Sequence, residues 1–170
     1  MQRPALEIRV LPFTGTDAAV AQALREELTA LGFVVNVLKP AAVPAGAYEP
    51  RRRQYRAEVL LDRVRVAPGE HVLGVTELDL YVEELNFVFG LADPHGRAAI
   101  IALPRLRLGA DAPVFRARMT KEAVHELGHT LGLAHCPDRA CVMAFSNMLA
   151  DTDRKGVWFC RRCRAKLGWG

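Results

Sequence analysis

Twelve consecutive residues, HELGHTLGLAHC at 125–136, hold three histidines, a glutamate and a cysteine. On a helix His125 and His129 stand about 40° apart around the axis and roughly 6 Å apart along it, so both imidazoles can converge on one metal ion. Glu126 lies about 60° from His129 on the same side, beside the position such an ion keeps open. A helix that ran straight on would carry the next histidine away. Gly132 admits a left-handed bend, and His135 can then fold back as a third ligand. Three imidazoles on Zn²⁺ leave one site for water, which is the pattern of a catalytic rather than a structural zinc. Zinc lowers the pKa of that water toward about 7, and a neighbouring carboxylate can take its proton.

HELGHTLGLAH matches the HExxHxxGxxH signature of the metzincin metallopeptidases. Cys136 directly after His135, Cys141 further on and the Cys160/Cys163 pair narrow the match. With HVLGVTELDLYVEELNFVFG at 71–90, the chain resembles the archaemetzincins over most of its length. The resemblance implies an α/β N-terminal subdomain and a small C-terminal one. It also implies a catalytic zinc on His125, His129 and His135, with Glu126 as general base. A structural zinc would sit on Cys136, Cys141, Cys160 and Cys163. Such enzymes carry a methionine in a tight turn below the histidines, for which Met143 in CVMAF is the first candidate and Met148 the second.

The cysteines also argue for themselves. C-x4-C followed by C-x2-C offers four thiolates, which Zn²⁺ accepts in a closed tetrahedral site. That site would staple the tail back to the turn after His135, in a stretch with too few periodic apolar positions to hold itself together. Two disulfides, or capture of the catalytic zinc by Cys136, are the alternatives. Some metzincins place a tyrosine after the turn methionine; this chain has none beyond Tyr81, so a second group to stabilise an oxyanion is not evident.

The elements that must position these groups follow from periodicity. ALEIRVLPF (5–13) alternates as a strand, 16–32 repeats apolar residues every fourth position as a helix ending at Gly32, and FVVNVL (33–38) is a second strand. This β-α-β opening predicts parallel pairing. A Pro/Ala/Gly-rich loop spans 39–50, and 51–64 reads as a helix whose first turn, RRR, is a solvated basic face. Strands are expected at 71–82, 85–92 and 98–106. The two-residue EE link predicts antiparallel pairing of the first two, and DPHG (93–96) a turn before the third. Residues 114–131 form the active-site helix, with Phe115, Met119, Ala123, Leu127 and Leu131 as its apolar ridge. The expected fold is therefore α/β and metzincin-like. A mixed, mostly parallel twisted sheet has one antiparallel edge strand, helices pack on it, and a small zinc-stapled C-terminal subdomain follows. The division falls between 1–132 and 133–170.

At 170 residues with 51% apolar and 25% charged side chains, the chain has the composition of a globular domain rather than of a membrane or low-complexity protein. Pro4, Glu7 and Arg9 interrupt any apolar leader, so a cytoplasmic location is expected, with thiols rather than disulfides. The predicted activity is that of a zinc metallopeptidase with two Zn²⁺ ions. Its partner would be a peptide or protein substrate laid along a sheet edge, with a monomeric enzyme and no membrane or nucleic-acid partner. The competing reading is a zinc-stapled nucleic-acid- or protein-binding module without useful peptidase activity. It draws on DRKGVWFCRRCRAKLGWG, in a tail where residues 151–170 carry six basic side chains against two acids. His71 and His95 read as surface residues, and Tyr81 and Asp79 as residues near a sheet edge.

Overall fold

The structure is a computed structural model that describes residues 5–170; Pro4 lies outside that range. The chain opens with strand β1 (Glu7–Pro12), helix α1 (Ala18–Ala30) and strand β2 (Val34–Val37). Asp17 caps α1, accepting a hydrogen bond from the Ala19 N–H at 2.9 Å. β1 pairs parallel with β2, as the β-α-β pattern predicts. Two short strands, β3 (Tyr48–Glu49) and β4 (Gln54–Arg56), precede helix α2 (Ala57–Arg65). Then come β5 (His71–Thr76), β6 (Leu80–Tyr81), β7 (Gly90–Ala92) and β8 (Ala98–Ala102). The long helix α3 (Ala112–Thr130) carries HELGHT, and α4 (Leu149–Arg154) and α5 (Arg161–Lys166) complete the chain.

Among the described residues the main sheet has five strands, in the order β2-β1-β5-β8-β7. β1, β5 and β8 run parallel, and β7 is the antiparallel edge strand, paired with β8. Successive residues of the central strands feed opposite faces. Leu73, Val75, Ala99 and Ile101 pack with α1 and α3, while Val72, Ala98 and Ile100 pack with α2. β8 is buried along its whole length between these layers. The first of the two cores continues past α3 through Leu133, Met143 and Phe159 to Trp169, so the sheet and the C-terminal segment share apolar packing.

Several expectations are corrected. Residues 51–56 are not the start of a helix. Gln54–Arg56 form β4, which pairs with β3 and β6 in a separate three-stranded sheet, and α2 begins at Ala57. The basic run is not a solvated face throughout: the Arg52 guanidinium lies 4.0 Å over the ring of buried Tyr81 and donates to the carbonyls of Val82 and Leu85. The stretch 71–82 is likewise not one strand. The Leu78 N–H bonds the Thr76 side chain at 3.2 Å, and Asp79 is held bidentate by Arg105, so the chain breaks at 77–79 and β6 joins the small sheet. The expected antiparallel pairing of 71–82 with 85–92 shrinks to one bridge, Leu80 with Val88. The edge strand's main partner is instead β8, reached through the DPHG turn, whose Gly96 N–H bonds the Asp93 carbonyl.

Candidate active site

Asp111 caps α3, its side chain accepting from the Val114 N–H at 3.0 Å, with Pro113 in the first turn as the sequence suggests. It is buried on most sides, so Arg118, Glu122, His125 and Glu126 are polar groups inside the molecule. The helix ends at Thr130, and Gly132 takes φ +91°, the left-handed turn that brings His135 back. The ring of His95 is packed where a side chain on Gly132 would stand.

The three histidines meet. Ring centroids are 4.7 Å apart for His125 and His129, 5.3 Å for His125 and His135, and 4.9 Å for His129 and His135. One nitrogen from each lies within 4.8 Å of the others. His125 Nδ1 donates to the Val142 carbonyl and His129 Nδ1 to the Leu133 carbonyl, each at 2.7 Å. Those bonds fix the tautomer, so both Nε2 lone pairs face inward, 3.2 Å apart. Burial, reinforced by Lys155, holds His125 well below the usual imidazole range, and desolvation lowers His129 and His135 as well. Neutral imidazoles are the form that coordinates a metal.

Glu126 lies in the same cleft, which has a volume of about 440 Å³ and is bordered by β7 and by Phe145. Burial pushes its carboxyl well above the usual carboxylate range; Glu122 adds to this and Lys155 opposes it. Gly90 on the edge strand makes the space, since a Cβ there would come within 2.6 Å of Glu126 Oε1 and 2.8 Å of the Ile100 carbonyl. Met143 is fully buried and its sulfur sits against Gly128, between the two helical histidines in sequence; Met148 is 55% exposed.

The four cysteines form a second group, with all sulfurs within 4.8 Å of one another. Cys136 and Cys160 are 3.8 Å apart, as are Cys141 and Cys163, well beyond the roughly 2.05 Å of a disulfide. The expected alternative of two disulfides therefore does not describe this arrangement. Burial pushes the Cys163 thiol up. It does the same to Cys160, but the Cys163 N–H and hydrogen bonds from Cys141 and Cys136 hold that thiol at about 7. Arg162 reaches Cys136 Sγ at 3.5 Å, adding positive charge at the cluster's edge.

Two residues of this region have no place in the sequence reading. Glu122 lies one helical turn before Glu126 and lines the cleft, which the i, i+4 spacing could have revealed. Lys155 has a side chain with no solvent exposure, 3.1 Å from Glu122, and nothing local in the sequence marks it. His71 is half-buried with Nδ1 3.4 Å from the Thr130 hydroxyl, rather than a surface residue, while His95 is exposed as expected.

A family model described as peptidase family M54 matches residues 33–168. The archaemetzincin of Methanopyrus kandleri is 51% identical over 139 residues, covering 81% of this chain and 79% of that protein. That of Methanocaldococcus jannaschii is 36% identical over 167 residues, 95% of this chain and 93% of the relative. Among solved structures, M. kandleri archaemetzincin superposes with a TM-score of 0.87 at 41% identity, over 96% of this chain and 94% of that one. A zinc-dependent peptidase from Methanocorpusculum labreanum gives 0.84 at 30% identity, over 94% and 99%.

Proposed function

The chain belongs to peptidase family M54, the archaemetzincins, and is a zinc metallopeptidase; from that premise we propose that His125, His129 and His135 hold its catalytic zinc and that Glu126 is its general base. Cys136, Cys141, Cys160 and Cys163 hold a second, structural zinc. The geometry supports both assignments. Tetrahedral Zn²⁺ with Zn–N of about 2.0 Å needs nitrogens about 3.3 Å apart, and the two helical Nε2 atoms are 3.2 Å apart. With Zn–S of about 2.3 Å the sulfurs should be about 3.8 Å apart, as both Cys pairs are. The same boundary that separates 1–132 from 133–170 divides the catalytic helix from the segment that carries His135 and the cysteine site.

When bound at the histidines, zinc supplies Lewis acidity, making a coordinated water acidic near neutral pH and polarising a carbonyl. The protein's own residues do the rest. The Val142 and Leu133 carbonyls orient two imidazoles. Glu126, desolvated and held above Gly90, accepts a proton from the attacking water and delivers it to the leaving amine. A buried carboxyl with a raised pKa is suited to both halves of that transfer. β7, the antiparallel edge, borders the cleft through Gly90, Leu91 and Ala92, and an extended peptide can add to it as a further strand. The observation that carries the reading is the convergence of three imidazoles, two of them tautomer-fixed, with a buried carboxylate in one cleft.

The nucleic-acid reading loses ground on the tail's aromatics. Phe159 and Trp169 are buried, and Trp158 packs against both, so these rings serve the core rather than an outward stacking face. Glu126→Gln tests the peptidase reading. Two zincs per chain should remain while turnover of a mixed peptide library falls by about 10²-fold or more. Turnover retained by the metal-replete variant would refute the role of Glu126.

A further inference from the structure

One buried ammonium joins three pieces of chain beneath the histidines. Lys155 follows α4; its side chain has no exposure and that of Glu122 only 3%. Lys155 Nζ lies 3.1 Å from Glu122 Oε1 on α3 and donates to the Ala144 carbonyl at 3.3 Å. Glu122 Oε1 also accepts from the Thr152 hydroxyl at 3.2 Å. The turn that carries Ala144 also carries Val142, whose carbonyl holds His125 Nδ1 at 2.7 Å. Lys155 Nζ is itself 3.5 Å from that Nδ1. Since Nδ1–H already points at Val142, the imidazole has no lone pair there for the ammonium, so the contact is a charge pressed against the ring and not a second hydrogen bond.

Stability gives little reason for such a pair, because well-packed apolar residues in its place are often as stabilising or more so. Its distinctive property is direction: three bonds set the distance between α3 and residues 142–144. We propose that Glu122 and Lys155 are positioning residues of the histidine centre, clamping the Val142–Ala144 turn to α3 so that the Val142 carbonyl keeps His125 Nε2 aimed at the metal. The proposal rests on the reading of His125, His129 and His135 as zinc ligands. Residues that orient a ligand from behind typically change metal affinity by about 10–100-fold. Lys155 and Glu122 act one contact further out, so the lower end of that range applies.

The pair has no net charge. Glu122→Gln/Lys155→Met therefore removes the clamp and leaves the summed charge at the site unchanged, whereas either single change strands a buried charge. The test uses the full chain with zinc in the cysteine site. It measures zinc affinity at the histidines by competition with a chromogenic chelator, and the visible absorption of Co²⁺ placed there. The double variant is expected to keep a thermal midpoint near wild type, bind zinc about tenfold more weakly and shift the cobalt band. Thr152→Val, which removes only one bond to Glu122, should fold normally and weaken zinc binding about threefold, and it decides the matter if the double variant does not fold. Wild-type affinity and cobalt absorption in the folded variants would overturn the proposal. A wild-type protein that takes up one zinc, unaffected by His129→Ala, would overturn instead the ligand assignment beneath it.

Discussion

β8 and α4 both pack against α3, by different means. β8 lies between two apolar layers with all five residues buried. α4 meets α3 through a charged row. Arg118 grips Asp153 with two bonds of 2.7 and 2.8 Å, Lys121 donates to the carbonyls of Thr152 and Asp153, and Glu122 takes Lys155 and Thr152. Positions 118, 121, 122 and 125 are one face of the helix, so the row that fastens the C-terminal segment ends on the first histidine. Apolar burial is non-directional and secures a sheet. The C-terminal segment shares the apolar core through Met143, Phe159 and Trp169, and is fastened in addition by directional bonds and, on our reading, by a metal.

The largest test of that contrast removes the proposed structural zinc. In small domains such an ion contributes on the order of 10 kcal/mol at neutral pH. Cys163→Ser should therefore drop the zinc content by one and strip amide-exchange protection from residues 136–170, while β5 and β8 stay protected. Uniform loss of protection through the sheet would show that the two regions are a single cooperative unit. The converse cut is Ile101→Ala, in a fully buried position facing α3. Such a truncation costs about 2–5 kcal/mol, to be read from the urea midpoint, and should leave both zincs in place.

How far these regions were legible in the sequence follows the same division. The sheet and α3 announce themselves because apolar burial imprints a period of two or of 3.6 on the chain. The donor sets were equally plain, since a metal demands particular residue types at narrow spacings. What escaped depends on partners distant in sequence. β4 exists because Tyr55 and Arg56 pair with Leu80 and Tyr81, and β5 ends where Asp79 is drawn to Arg105. α4 shows no apolar stripe because its contacts with α3 are polar and Leu149 is its one apolar residue packed on the core. Charged residues are ordinarily solvated, so nothing local in the sequence distinguishes Lys155 from a surface lysine.

Within the charged row, Arg118→Met should rank next. The Arg118 side chain is only 7% exposed, and besides Asp153 it satisfies the carbonyls of Leu106 and Leu108. Losing these charge-assisted bonds costs about 2 kcal/mol in global stability, measurable by urea unfolding with zinc present. A change below about 0.5 kcal/mol would mean that water replaces the guanidinium freely and that the row is a surface feature.

The smallest effect is in the pH dependence of the same pair. Hydrogen bonding to Arg118 holds the Asp153 carboxyl below its ordinary value, with burial opposing and the charge of Arg118 reinforcing the shift. A carboxyl whose pKa is depressed by folding contributes its stability above the unfolded pKa of about 3.9, and loses it as pH falls through the lower folded value. The side chain is 44% exposed, so solvent screens much of the attraction. Asp153→Asn should consequently be less stable than wild type at pH 7, with the gap closing below about pH 4. Comparing the two proteins at each pH removes the acid release of zinc that both undergo. A gap that stayed constant into acid would assign the stabilisation to the shape of the Arg118 contact, which asparagine disturbs, rather than to the charge on Asp153.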